Sequence, residues 1–463
     1  MTQPLTHKDA SILLGHPKGL FILFLTEMWE RFSFYGMRAI LVLFLVDQVK
    51  GGFGWSETSA LKLYGINIMA VYVLGIPGGA LADRYIGQKA AVLYGGILQC
   101  IGHFLLSLGN ESIFMVGLGC IAIGTGLLKP NISAMVGGLY KPEDQRRDSG
   151  FTIFYMGINL GAIFATTIVG FVGEVYGWHY GFGLAGFGML IGILVFVLGR
   201  KYLKNLDHNP QQEYVSDIHN STALYFTFTK EEKDRLLVLF ICLIAVFAFF
   251  IAFEQGGGLM NLYANKYTNR YIFGWEVPAS MLQGLNPLFI VLLGPIVASL
   301  WIRFAKHYKH ISTIYKMGLG NIIIGMGFLF MIGAVLQSQS SPTGQSDLHW
   351  LVNAYLLHTI GELCLSPVFL SFIAKVAPNR TKSSMMGLFF AVVGCAGWLS
   401  GLLGAQSVML GELKVFKLIF CITVLMGLPF IIFNKHLMGL THGSAQEATE
   451  GRGTSCSRFF LEI

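Results

Sequence analysis

About twelve apolar segments, each long enough to cross a lipid bilayer, are the strongest constraint on how this chain can fold. A spanning helix needs about 20 largely apolar residues, because it must satisfy its own backbone hydrogen bonds across a hydrocarbon core roughly 30 Å thick. Hydrophobic residues make up 54% of the 463 residues and charged residues only 12%, which is more apolar surface than a soluble domain can bury. The sequence therefore predicts an all-α membrane protein. The segments expected to span the bilayer are 19–46, 60–82, 90–108, 112–136, 151–173, 180–200, 236–260, 278–301, 311–336, 349–375, 384–409 and 415–434.

The distribution of Lys and Arg predicts how these segments are oriented. Basic residues are frequent in the loops on the side of the two chain ends, for example Arg146 and Arg147, and rare in the loops on the other side. By the positive-inside rule, the first side faces the cytoplasm. We therefore expect a multi-pass protein of the plasma (inner) membrane with both termini in the cytoplasm.

The longest polar interruption, residues 201–235, divides the chain into two predicted bundles of six helices, 19–200 and 236–435. A cytoplasmic segment, 1–18, precedes the first bundle. A tail rich in Gly, Ser and Glu, 436–463, follows the second bundle and is expected to be cytoplasmic and disordered. Two six-helix halves joined by a cytoplasmic linker are typical of rocker-type secondary transporters, whose binding site lies near the middle of the membrane between the halves.

The first predicted span contains three ionisable residues, Glu27, Glu30 and Arg31. Each costs about 2.5–3.5 kcal/mol to place in the bilayer, so such residues persist where they face a partner or a water-filled cavity. Their spacing of three and four residues places all of them on one face of a helix. This pattern predicts a polar stripe that lines a route for something charged; an ion network that only holds helices together is the alternative.

Several function classes lack support in the sequence. The net charge of +7 lies mostly in short loops, so it reports orientation rather than nucleic-acid binding. The seven cysteines include no C-x-x-C pair, and no disulfide framework or metal site is predicted. The spans contain no G-x-G-D or H-E-x-x-H motif, and the G-x-G-x-x-G match at 181–186 follows no predicted strand. We therefore expect neither catalytic residues nor a nucleotide cofactor.

The loop after the second predicted span carries a recognisable motif. Residues 78–89 read GGALADRYIGQK, in which small residues allow close helix packing and Asp83 and Arg84 can form a breakable ion network. This segment resembles the conserved loop of the major facilitator superfamily, which implies a gating role for Asp83 and Arg84 at the rim. The equivalent part of the second half, 294–310, keeps basic residues but has no Asp-Arg pair.

A narrower resemblance rests on motifs distributed along the chain. Residues 27–38 (EMWERFSFYGMR) look like the E-x-x-E-R-F motif of the proton-coupled oligopeptide transporters, the POT/PTR family, and residues 154–162 (FYMGINLGA) look like its fifth-helix signature. Shorter matches, in the family's order, are Lys129-Pro130-Asn131, Phe253-Glu254-Gln255, Asn286-Pro287, Gly361-Glu362-Leu363 and Ser366-Pro367. The chain thus resembles a prokaryotic member of this family from about residue 19 to residue 435.

The resemblance implies a symporter that imports di- and tripeptides together with protons by alternating access. It also implies that the protein works as a monomer in the lipid bilayer, without a cofactor other than the coupling proton. Proton coupling would involve Glu27, Glu30, Arg31 and Glu254. The residues that would bind the peptide are Arg31, Tyr35, Tyr72, Lys129, Asn159, Asn286, Glu254, Glu362 and Ser366.

The chemistry of these residues permits the same substrate independently of the resemblance. A zwitterionic peptide needs one cationic and one anionic partner. Arg31 and Lys129 lie in the first half of the chain. Glu254 and Glu362 lie in the second half, so a bound peptide would bridge the two halves.

Departures from the family's pattern leave the substrate preference open. Phe34 precedes Tyr35 where members usually carry two tyrosines, and Phe389 stands where they commonly carry tryptophan. His358 lies one helical turn before Glu362 and could tune the proton affinity of that carboxylate. The alternatives are therefore the same fold carrying another organic ion or nitrate, or a nutrient-sensing receptor without net flux.

Overall fold

A computed structural model describes residues 12–141, 144, 146–206, 228–307, 311–378 and 381–444. Parts of the predicted N-terminal segment, linker and tail, namely 1–11, 207–227 and 445–463, lie outside the described residues. The chain is almost entirely helical, as the apolar segments predicted. The long helices of the first half are α1 (Lys18–Val46), α2 (Glu57–Ile86), α3 (Gln88–Leu106), α4 (Glu111–Gly138), α5 (Arg146–Tyr176) and α6 (Trp178–Gly199).

The second half has the same number of long helices, and its first helix is broken after 24 residues into a long α7a and a short α7b. Three 3-10 helices occur in this part of the described chain: Arg200–Leu206 follows α6, Glu254–Gly256 lies between α7a and α7b, and Ala279–Gly284 precedes α8. The helices of the second half are α7a (Lys230–Phe253), α7b (Leu259–Tyr267), α8 (Leu285–His307), α9 (Thr313–Ser340), α10 (Leu348–Val376), α11 (Lys382–Ala405), α12 (Glu412–Ile432) and a short α13 (Asn434–Gly439).

Short strands occur only at the ends of helices within the described residues, and each has two residues. They form two antiparallel pairs, β1 with β2 and β4 with β5, and one parallel pair, β3 with β6. The strands are β1 (Ile12–Leu13), β2 (His16–Pro17), β3 (Thr268–Asn269), β4 (Tyr271–Ile272), β5 (Trp275–Glu276) and β6 (Ser346–Asp347).

Eleven helical segments of the described chain are long and apolar enough to cross a membrane, and α1 is the helix of spanning length that falls outside this set. With 29 residues, α1 is long enough. However, Glu30 and Arg31 at its centre are flanked by Glu27 and Arg38, so every 18-residue stretch contains at least three charges. Most of these side chains are buried in the protein and do not face lipid. Their charges therefore do not prevent α1 from being a twelfth span.

The most extensive helix contacts lie within each half, with one between the halves. Within the halves, α3 packs along α4, α1 packs against α5 and α6, and α9 packs against α10 and α12. Between the halves, α2 packs along α11. Small residues permit such close approach in a membrane, where van der Waals packing replaces the hydrophobic effect as the force between helices.

The boundaries of the second half differ from those predicted. The seventh span was expected to begin near residue 236, whereas α7a begins at Lys230 because Thr229 and Glu232 form a capping box. Apolarity marks where the bilayer begins, and a capped polar turn can extend the helix beyond it.

The start of the predicted tail is also ordered, contrary to our expectation of disorder from residue 436. The helix α13 follows α12 directly, and Thr441 donates a hydrogen bond to the Met438 carbonyl. His442 then lies 2.8 Å from the carboxylate of Asp234 at the start of α7a. These contacts with the bundle outweigh the polar composition of the segment.

The segment before α1 is tied to the loop between α4 and α5. His16 Nδ1 lies 2.8 Å from the Tyr140 hydroxyl, and Arg146 donates to the Gly15 carbonyl at 2.8 Å. Burial lowers the pKa of His16, and the Arg146 guanidinium lowers it further. Hydrogen bonds from Arg146 hold the pKa of Asp144 at about 2. Near neutral pH this rim therefore contains a neutral imidazole and a paired carboxylate.

Two adjacent glycines in α2 provide a test of the packing. A Cβ atom at Gly78 would lie 2.2 Å from the Gly126 carbonyl oxygen of α4, whereas one at Gly79 would meet nothing closer than Pro130 at 3.8 Å. Gly78→Ala must push α2 and α4 apart, and overpacking of this kind costs about 1–3 kcal/mol.

We expect Gly78→Ala to lower the melting temperature of the purified protein in detergent by several degrees. The matched control, Gly79→Ala, should leave it unchanged or raise it slightly. Equal melting temperatures for the two variants would contradict the close contact between α2 and α4.

Candidate functional site

A cavity of about 390 Å³ lies between the two halves. Its walls come from α1, α2 and α5 on one side and from α7a, α8 and α10 on the other, and Asn159 and Glu362 lie near the middle of their helices. Most of the predicted binding residues line it: Tyr35, Tyr72, Asn159, Glu254, Asn286, Glu362 and Ser366. The structure thus brings together residues that are more than 300 positions apart in the chain.

The three charges predicted to form a stripe on α1 form one buried cluster. Arg31 Nε lies 3.2 Å from Glu27 Oε1 and also bonds to Glu30. None of the three is more than 2% exposed. Within the described residues, Glu27 Oε2, Glu30 Oε1 and Arg31 Nη2 have no hydrogen-bond partner. Buried polar atoms are rarely left unpaired, so this cluster has capacity to bind protons, water or a ligand.

Two of the predicted binding residues, Arg31 and Lys129, are not among the residues that line the cavity, and their binding role stays a prediction. The Arg31 guanidinium lies 5.8 Å from the ring centroid of Tyr35, and Lys129 Nζ lies 4.4 Å from that of Tyr72. Both tyrosines do line the cavity. Each cation lies close to the ring of a cavity-lining tyrosine, an arrangement that the attraction between a cation and an aromatic face stabilises.

A second charged network, centred on Arg38, joins the two halves. Arg38 Nη2 lies 2.7 Å from Glu254 Oε2, and Arg38 Nε donates to the Tyr64 hydroxyl at 2.9 Å. The same hydroxyl donates to Glu254 Oε2 at 3.1 Å. Both Arg38 and Glu254 line the cavity. Our sequence reasoning missed the roles of Arg38 and Tyr64, although Arg38 lies seven residues after Arg31 and therefore on the same helical face.

The break in the seventh helix positions Glu254 in this network. α7a ends at Phe253, and three consecutive glycines, 256–258, precede α7b. A Cβ atom at Gly257 would lie 2.2 Å from the Tyr64 hydroxyl and 3.0 Å from Arg38 Nε. Only glycine therefore lets the backbone of the second half approach these two side chains so closely.

An acidic group lies on the α8 and α10 side of the cavity. Asn286 Nδ2 donates to Glu362 Oε2 at 2.9 Å and to the Thr359 hydroxyl at 3.1 Å. Glu362 is half-buried and faces the cavity. One of its oxygens is thus bound by the protein, and the group remains accessible to a cation in the cavity.

The other predicted residues contribute in different ways. Asn159 donates to the carbonyl of Tyr155 in its own helix at 3.1 Å. The Ser366 hydroxyl and His358 Nε2 are buried, with no hydrogen-bond partner within the described residues, and both residues line the cavity. The cavity also has apolar walls, including Phe250, that can receive side chains of varied shape.

The rim residues Asp83 and Arg84 lie apart from the cavity. Both are exposed in the π-helical turn Ala82–Ile86 that ends α2, and the Arg84 guanidinium lies 5.3 Å from the Tyr85 ring centroid. Gly87 follows with a φ of 78°, which reverses the chain into α3. Their placement at a helix end agrees with the predicted loop, and their gating role stays a prediction.

Further contacts join the halves at the end of the bundle where α1 ends. Asn261 and Gln283 of the second half donate to the Ala39 carbonyl at 2.9 and 3.2 Å. An ion pair joins Lys266 to Glu57. The halves are therefore closed against each other at this end of the molecule.

No group of three or more His, Cys, Asp or Glu residues suited to a metal ion occurs in the described part of the chain. The charged groups near the cavity are carboxylates, guanidinium groups and one amine, a set that suits an ionic organic solute.

Comparisons with known proteins identify the family of this chain. The profile of the POT family matches residues 89–219 and 208–412. The peptide transporter YePEPT of Yersinia enterocolitica is 38% identical over 451 residues, covering 85% of this chain and 88% of that protein. This chain belongs to the POT family. A di-/tripeptide transporter of Lactococcus lactis subsp. cremoris is 32% identical over 493 residues, covering 94% of this chain and 98% of that protein.

Solved structures of POT family transporters share the fold, which is the predicted major facilitator fold. A crystal structure of a mutant peptide transporter POT in complex with alafosfalin has a TM-score of 0.84 and 35% identity, covering 93% of this chain and 96% of that one. A POT family transporter in complex with 5-aminolevulinic acid has a TM-score of 0.82 and 29% identity, covering 92% and 98%. The resemblance to the POT family that the sequence motifs indicated is confirmed.

The Arg38–Glu254 pair can be tested with a double-mutant cycle. Removing one partner of a buried ion pair leaves an uncompensated charge, which costs about 3 kcal/mol or more. Removing both partners avoids this penalty.

We expect Arg38→Met and Glu254→Gln each to lower the melting temperature in detergent, and the double variant to lower it by clearly less than the sum of the two. Additive effects would show that the two side chains do not interact.

Proposed function

We propose that this POT family protein is a transporter that imports di- and tripeptides together with protons by alternating access. The cavity between the halves carries the proposal, because its walls hold opposite charges on opposite sides. The relatives named above are peptide transporters by name, and a cavity of about 390 Å³ has room for a few residues of peptide.

We assign the two ends of the peptide to the two charged sides of the cavity. The amino group would bind Glu362, with Asn286 and Asn159 providing further polar contacts. The carboxylate would bind on the first half, where Arg31 and Lys129 lie against Tyr35 and Tyr72. Movement of these rings would expose the cations to the substrate. Because the ends of all peptides share this chemistry, such anchoring tolerates varied side chains.

We assign proton coupling to the two carboxylate networks. Glu27 and Glu30 compete for Arg31 on α1, and Glu254 holds Arg38 across the halves. Protonation of a carboxylate would release its arginine to bind the substrate or to let the halves separate. This exchange of partners links proton binding to peptide binding and to rocking. Ser366 would add a polar contact beside Glu362.

The orientation follows from the loops. The positive-inside rule places both termini in the cytoplasm, so the end where α1 ends faces outward. Contacts join the halves at that end, and we propose that this state loads or releases substrate on the cytoplasmic side. Each half is a continuous bundle of its own, and we propose that one chain in the plasma membrane performs the cycle as a monomer.

The proposal is tested by uptake of labelled dialanine into liposomes that contain the purified protein. An inward proton gradient should accelerate uptake, and di- and tripeptides should compete while free alanine, nitrate and longer peptides should not. Dialanine amide, which lacks the free carboxylate, should compete more weakly than dialanine. Competition by nitrate or by another organic ion in place of peptides would favour the alternative cargo, and binding without uptake would favour a receptor.

Glu30→Gln separates proton coupling from substrate binding. The substitution replaces the carboxylate with an amide of the same shape that cannot carry a proton. Proton-driven uptake should therefore fall by at least about tenfold, as expected when a group that transfers protons is lost. Exchange of labelled for unlabelled peptide should persist because it needs no net proton release.

The matched control is Glu111→Gln, since Glu111 is an exposed carboxylate at the start of α4. It should preserve both activities. Equal loss of driven uptake and exchange in Glu30→Gln would argue against the coupling role.

A further inference from the structure

We infer that Glu174 is a latch that holds the outward end of the protein closed. Glu174 lies in the last turns of α5, in the first half, and only 8% of it is exposed. Its carboxylate contacts the second half through three hydrogen bonds. The inference rests on the proposed alternating access, since a latch needs a closed and an open state.

The contacts of Glu174 are those of a helix cap made across an interface. Its Oε1 accepts from the backbone N–H of Ser280 at 2.6 Å and from the Ser280 hydroxyl at 2.5 Å, and its Oε2 accepts from the N–H of Ala279 at 3.0 Å. These groups begin the 3-10 helix Ala279–Gly284 that precedes α8. First-turn N–H groups have no partner within their own helix, and an anion is the group that they bind best.

One basic residue from each half contacts Glu174: Arg270 at its carboxylate and Lys50 at its backbone carbonyl. Arg270 Nη1 of the second half lies 3.9 Å from Glu174 Oε2. Arg270 is itself fixed by hydrogen bonds to the Val277 carbonyl and to Glu276 in β5. On the first half, Lys50 Nζ donates to the Glu174 backbone carbonyl at 2.8 Å. The latch therefore connects the loops that precede α2 and α8.

The two halves pack closely beside the latch. A Cβ atom at Gly170 would lie 2.5 Å from the Ser280 hydroxyl, and one at Gly284 would lie 2.5 Å from the Thr166 hydroxyl. The end of α5 thus packs directly on the start of α8. If the halves separate here, the carboxylate must exchange three protein donors for water, and the Ala279 and Ser280 N–H groups lose their cap.

Glu174 is distinct from the charged groups assigned to substrate and protons. It does not line the cavity, and its bonds go mainly to backbone groups that do not titrate. We therefore assign it a positioning role: it sets the balance between the closed and open outward end without contacting the peptide.

The test measures access to the cavity from outside. Ile158→Cys places a thiol on the cavity wall, and a membrane-impermeant maleimide applied to the outer face of oriented vesicles can reach it only when the outward end opens. The protein without Ile158→Cys gives the background from the native cysteines. This readout requires no transport.

We expect Glu174→Gln and Glu174→Ala to increase the labelling rate about tenfold, as for the loss of a charge-assisted hydrogen bond from the closed state. Ser280→Ala, which removes only the hydroxyl donor, should give a smaller increase. Glu111→Gln, the same kind of substitution at the same end of the bundle, should give none. If Glu174→Ala fails to fold, the order of labelling rates among Glu174→Gln, Ser280→Ala and Glu111→Gln still tests the latch.

Unchanged or slower labelling in both Glu174→Gln and Ser280→Ala would overturn the latch. This failure is distinguishable from failure of the proposed function, which would appear as absent dialanine uptake by the parent protein. Faster labelling by all variants, including Glu111→Gln, would also overturn it, because the effect would then not depend on the contact across the halves.

Discussion

The ion pair between Arg38 and Glu254 is the interaction around which the structure is arranged. Both groups are held in the protein interior, where an unpaired charge is costly, and each comes from a different half. The glycines at 256–258 and the end of α7a at Phe253 bring the carboxylate to its partner. The relation between the halves near the cavity therefore depends on an electrostatic bond that protonation can weaken, whereas apolar packing alone would be insensitive to protons.

The other charged groups near the cavity are also held within the protein, but they are incompletely paired. Arg31 is shared by Glu27 and Glu30, and one oxygen of each carboxylate has no partner within the described residues. Glu362 is bound on one oxygen by Asn286. A static membrane protein would gain by pairing or removing such groups. Their persistence is explained if protons and a zwitterionic solute complete the set during each cycle.

Closure at the end of the bundle where α1 ends relies on different chemistry. There, side chains of one half bind backbone groups of the other, as Glu174 does at Ser280 and Asn261 does at Ala39. Such contacts depend on geometry and do not change with the charge of the cavity. The protein thus combines an ion pair near its centre with hydrogen bonds to backbone groups at one end. Under the proposed alternating access, opening of that end requires both kinds of contact to break.

The sequence by itself determined the number and order of the spans, the family, and the charged residues that must be buried, because a bilayer imposes length and polarity limits that local composition must meet. Most of the residues that it predicted to bind the substrate do line the cavity. Only the tertiary structure decided which charges pair. Arg38 and Tyr64 contact Glu254, Glu174 caps a helix start in the other half, and Arg31 and Lys129 lie against tyrosine rings. These outcomes depend on how two helical bundles are placed against each other, and that placement is set by contacts between residues far apart in the chain, which no local pattern records.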